Sequence, residues 1–132
     1  MLKKTALTFW LLFCGALPLT GCVVHHPAER AAVVVFNDLE RNLIIRITLS
    51  GKQATEELIN SGEFKYIFEY EEDPNEPVKF PQMFTAMQID VPPGCSVAVG
   101  REALADLFVR DPEGRRTWDL HVSESFIKKQ GC

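Results

Sequence analysis

NLIIRITLS, Asn42 to Ser50, decides how the rest of the chain is read. Leu43, Ile45, Ile47 and Leu49 fall on one side of it, and Ile44, Arg46, Thr48 and Ser50 on the other. Side chains alternate across an extended chain, so this period of two describes a strand with one buried face. Upstream lies AAVVVF, Ala31 to Phe36, a β-branched run. NDLERN between them carries the asparagines and acids of a turn, and the spacing predicts a hairpin across Asn37–Arg41.

Downstream, GKQATEELINSGE is ambiguous: Ala54 to Ile59 fits a short helix or an irregular edge, closed by Gly62. FKYIFEYEE alternates again, with Phe64, Tyr66, Phe68 and Tyr70 on one side. Such a ladder reads as sheet core, because rings pack well on a pleated surface; an exposed aromatic face is the alternative. KFPQMFTAMQIDVPPGCSVAVG supplies two further strands around the Pro92-Pro93-Gly94 turn. In the first, Met83, Thr85, Met87, Ile89 and Val91 alternate with Phe84, Ala86, Gln88 and Asp90. ALADLFVR, Ala103 to Arg110, reads as a strand. Asp111-Pro112-Glu113-Gly114 is a turn with proline second and glycine fourth. TWDLHVS answers it, with Trp118, Leu120 and Val122 facing one way. ESFIKKQGC ends the chain with about one helical turn. The pattern predicts a mainly β fold: a small antiparallel β-sandwich or open barrel of about seven strands, with at most one or two short helices.

The first residues are of another kind. Lys3 and Lys4 precede an uncharged apolar stretch, Thr5 to Leu17, shorter than the roughly 20 residues that span a bilayer. A positive start, a short apolar core and small residues after it describe an export signal. The signal ends at Leu19-Thr20-Gly21-Cys22, which resembles the lipobox of bacterial lipoproteins. The resemblance covers the leader alone; the rest of the chain resembles no family. It implies that Cys22 receives a diacylglyceryl group on its thiol and becomes the first residue of the mature protein. Val23 follows in place of an aspartate, which in the enteric sorting pattern points to the outer membrane, facing the periplasm. Residues 1–21 are then the signal peptide, 22–30 the lipidated cysteine and tether, and 31–132 a single β-rich domain.

The mature chain of about 110 residues is enough for one core. The whole chain has 14 Lys+Arg and 18 Asp+Glu; losing Lys3 and Lys4 leaves 12 against 18, a net charge of −6. That acidity argues against nucleic acid as a partner. With Cys14 lost in the leader and Cys22 lipidated, Cys95 and Cys132 remain, and an oxidising compartment favours joining them. No C-x-x-C spacing suggests redox catalysis.

No motif names a reaction. His25 and His26 lack clustered companions for a metal. Met83 and Met87 lack the histidine a copper site wants beside them. Ser123 and Ser125 lie near His121 without a nucleophile elbow. No cofactor and no enzymatic activity are expected. The acids of Glu69–Glu76, with Glu71, Glu72, Asp73 and Glu76 foremost, read as a solvated loop lacking calcium spacing, and with the Asp111–Arg116 tip they offer the first surfaces for a partner. The reading is a membrane-anchored envelope domain that mediates protein interaction or scaffolding. The alternatives are a periplasmic inhibitor of a hydrolase such as lysozyme, and an enzyme or small-molecule binder whose site no motif reveals.

Overall fold

The computed structural model describes residues 28–132, so the leader, Cys22 and the His25-His26 pair lie outside the described residues. Eight strands and two short helices follow one another: β1 (Glu29–Asn37), β2 (Leu43–Leu49), β3 (Thr55–Ile59), β4 (Phe64–Glu72), β5 (Phe84–Val91), β6 (Cys95–Gly100), α1 (Arg101–Leu107), β7 (Val109–Arg110), β8 (Thr117–Val122) and α2 (Glu124–Lys129). They form two four-stranded sheets, ordered β4-β1-β8-β7 and β3-β2-β5-β6. The architecture is a β-sandwich, with every pairing antiparallel except β1 with β8.

The first and second strands do not form the expected hairpin. β1 is flanked by β4 and β8, and β2 by β3 and β5, so the connection crosses from one sheet to the other. Asn37 makes that crossing. Its amide, 1% exposed, donates to the carbonyls of Arg41 and Ile59 at 2.9 Å each, and its carbonyl oxygen accepts the Leu39 N–H at 3.0 Å. A buried amide fully satisfied in this way fixes the loop's path and lets Leu39 enter the core. β1 has partners on both edges, and Val33, Val34 and Val35 are all buried, which accounts for a continuous valine run where a half-exposed strand would alternate.

β2 behaves as its period dictates: Leu43, Ile45 and Ile47 are buried against the other sheet. Residues 55–59 are an edge strand and not a helix; only Ile59 is buried. In β5 the alternation holds from Met87 to Val91. It breaks before that, because a register shift opposite Thr48/Leu49 turns Phe84 inward and leaves Met83 exposed. Phe84 then joins Phe68, Phe80, Phe108 and Trp118 in an aromatic core, with ring centroids 5.3–6.4 Å apart.

ALADLFVR is mostly helix. Arg101 to Leu107 is rich in strong helix formers, and Leu104, Leu107 and Phe108 share one face by their i, i+3, i+4 spacing. Leu104 and Phe108 are buried, and only Val109–Arg110 remain as strand. At the other end α2 starts at Ser123, whose hydroxyl accepts the Phe126 N–H at 3.2 Å. Glu124 in its first turn and Lys128 and Lys129 in its last complement the helix dipole. Cys132, just beyond it, is bonded to Cys95 at the start of β6, with Cα atoms 5.8 Å apart. The bridge joins the end of the chain, which follows a strand of one sheet, to a strand of the other.

Candidate functional site

The acidic segment divides. Glu71, Asp73 and Glu76 are exposed, and Asp73 accepts the Asn75 N–H at 2.9 Å to shape the loop. Glu72 is not a surface acid. Its side chain is 11% exposed and turned inward at the end of β4. Arg110 of β7 grips it with two hydrogen bonds, at 2.7 and 3.0 Å, and Arg116 adds a third at 3.1 Å. The Tyr70 hydroxyl donates to it at 3.2 Å and accepts the Trp118 indole N–H at 2.9 Å. The Arg110 guanidinium lies 5.5 Å from the centre of the Trp118 ring. Arg116 also pairs with Glu29. Between these long side chains β1 brings only a methyl, Ala31 opposite Tyr70.

Burial pushes the Glu72 carboxyl up. The Arg110 hydrogen bonds and charge, helped by Tyr70 and Arg116, outweigh it and hold the group below its ordinary value. Burial raises Tyr70, which keeps the phenol neutral and able to donate. The cluster ties the two outer strands of one sheet together across its inner face. Its function is structural, and this removes Glu72 from the surfaces open to a partner. At the Asp111–Arg116 tip, the Glu113 N–H and the Arg115 side chain keep Asp111 below the usual carboxylate range. Gly114, at φ 87°, closes that turn in a conformation side chains resist.

The aromatic ladder divides as well. The β1–β4 register shifts between Val33 and Val34: Val33 faces Phe68, and Val34 faces Tyr66. Ile67 is the extra residue of a bulge, and a bulge moves all that precedes it to the opposite face. Phe68 and Tyr70 pack on the core; Phe64 and Tyr66 stand outside, 52% and 56% exposed. They continue a row across three strands. Tyr66 meets Phe64 edge to face at 5.9 Å, Phe64 meets Phe36 of β1 at 5.4 Å, and Phe36 stacks on His121 of β8 at 4.3 Å. Asp38 holds the His121 ring through Nδ1 at 2.8 Å. The period-two reading offers an exposed aromatic face only as the alternative, for all four rings together; the bulge divides them, two inward and two outward. Its one visible sign was the adjacent pair Ile67-Phe68, two apolar residues where strict alternation allows one.

Other polar groups are accounted for by the fold. Ser123 caps α2, and its hydroxyl lies 3.1 Å from that of Ser125. Ser96 and Gln88 both donate to Asp90, at 2.7 and 2.9 Å, and hold it below its ordinary value. A cleft of about 530 Å³, open to solvent, lies beside the disulfide, with Arg41, Ser96, Glu124 and Lys128 as its polar lining. Among the described residues, no group of three His, Cys, Asp or Glu side chains is placed to hold a metal ion. No described helix is long and apolar enough to cross a membrane. No family model matches the chain, and neither a curated protein nor a solved structure matches it.

Proposed function

We propose that this protein is a lipid-anchored component of a bacterial envelope whose β-sandwich binds another envelope protein without catalysing a reaction. The anchor rests on the lipobox-like Leu19-Thr20-Gly21-Cys22, and Val23 favours the outer membrane, facing the periplasm. The observation that carries the binding role is the strip Phe36, Phe64, Tyr66 and His121. Phe64 and Tyr66, exposed side by side on a sheet face over the half-buried Phe36, serve contact rather than folding. A lipid tether confines such a face to one surface and raises its effective concentration for partners there.

Two measurements test the two halves. Mass spectrometry of the processed protein is expected to show acyl chains on an N-terminal Cys22, and Cys22→Ser to abolish them; an unmodified Cys22 in a host with a working lipoprotein pathway refutes the anchor. A photo-crosslinking amino acid placed in turn at Tyr66, Asp73 and Glu113 of the full lipoprotein, in living cells, tests the binding role. Discrete adducts at one of these positions are expected, and no adduct at any of them refutes it.

A further inference from the structure

We infer that the aromatic strip takes a cationic protein segment, one in which arginine or lysine side chains alternate with apolar ones. The inference rests on the interaction role above and names the partner's chemistry.

Register sets what shares the strip's face. Ala32 and Val34 of β1 point the same way as Phe36, and Glu69 lies opposite Ala32 and Asp119 opposite Val34. Glu71 follows on β4, and Asp38 holds His121 at one end of the strip. Against these carboxylates the face offers Arg30, already 3.7 Å from Glu69, and His121. Glu71 and Asp119 form no salt bridge among the described residues, and the nearby Arg115, which feels the Asp119 charge, is already hydrogen-bonded to Asp111. The rings present electron-rich faces that attract guanidinium and ammonium groups. The carboxylates reward the same groups by direct pairing, and the exposed ring edges accept apolar side chains between them.

The other occupants fit less well. A second copy would bring the same surplus of acids against itself. An anionic lipid surface would meet the same repulsion.

The test uses full-length lipoprotein in detergent and a short fluorescein-labelled peptide of alternating arginine and leucine, read by anisotropy. Its twin carries glutamate in place of arginine. The arginine peptide is expected to bind and the glutamate peptide not. The double variant Phe64→Ser/Tyr66→Ser, with a cooperative thermal melt lowered by only a few degrees because both side chains are about half exposed, is expected to weaken binding about tenfold. Asp73→Asn/Glu76→Gln, acids away from the strip, should change it by less than about twofold. Equal binding of both peptides, or binding indifferent to the Phe64/Tyr66 change, overturns the inference. So does strip-dependent flotation with phosphatidylethanolamine–phosphatidylglycerol vesicles, or strip-dependent dimerisation. Crosslinks in cells at Asp73 or Glu113 with none at Tyr66 would overturn it too, while leaving the interaction role standing.

Discussion

Glu72 shows how much a single carboxylate decides here. In sequence it is one of five acids in a row of solvated appearance, with nothing to mark it from Glu71 or Asp73. What distinguishes it is the arrival of Arg110 and Arg116 from residues nearly 40 positions away or more, which no local pattern reveals. Its lowered pKa has a definite sign. Below the unfolded value, 4.5, the unfolded chain binds a proton that the folded chain still refuses, so stability falls as pH drops through the folded pKa. Above that window the contribution is complete. Glu72→Gln is therefore expected to cost about 2–3 kcal/mol at neutral pH, because two half-buried guanidinium groups lose their counter-ion. It should also flatten the acid limb of the stability profile, where Asp90 and Asp111 still contribute. Urea denaturation at a series of pH values measures both; an unchanged midpoint would show the cluster to be ornamental. Asn37 was equally hidden. It stood in the sequence as a turn residue, and its burial follows from a carbonyl at Ile59 that only the folded chain brings near.

At the scale of the element, the strands were legible where one face is buried and the other wet. β2 and β8 follow their period of two, as do β6 and the second half of β5. The errors fall where a strand changes face. Bulges in β4 and β5 each add one residue, and alternation read straight through them puts the earlier half on the wrong side. α1 was legible by propensity: Glu102, Ala103, Leu104 and Ala105 are all helix formers, and the strand reading of Ala103–Arg110 overlooked them. The β4 bulge makes a clean prediction. Tyr66 and Phe68 differ by two positions and would be equivalent on a regular strand. Phe68→Ala is expected to cost about 2–3 kcal/mol, since its ring packs on Phe84, while Tyr66→Ala should cost under about 1 kcal/mol. Equal losses in chemical denaturation would refute the bulge as placed.

Over the whole molecule, the sandwich and the Cys95–Cys132 bridge were legible in the sequence, and the strand order was not. Adjacency suggested that Ala31–Phe36 pairs with Asn42–Ser50; the fold gives each to a different sheet, because a short loop with a buried amide is as able to cross a sandwich as to reverse a hairpin. The bridge acts on the molecule rather than on one element. It closes a 37-residue separation and pins the segment after α2 to the first residue of β6. Cys95→Ser/Cys132→Ser is expected to lose about 3–4 kcal/mol on the chain-entropy account. Reductant should produce the same shift in the wild-type denaturation midpoint and none in the double variant. Non-reducing peptide mapping that finds both thiols free would refute the pairing.

The parallel pairing of β1 with β8 has a consequence for biogenesis. Residues 43–100 contain every strand of the β3-β2-β5-β6 sheet, so that half can assemble before the later segments are made. The first strand cannot finish. Its second neighbour is Thr117–Val122, far along the chain, and contacts so distant in sequence close slowly. Until then Val33, Val34 and Val35 lie along an open strand edge, the kind of template on which unfolded neighbours aggregate. Synthesis of β8 is thus what hides the valine segment, and a chain cut short before Thr117 would leave that segment uncovered to proteases and chaperones.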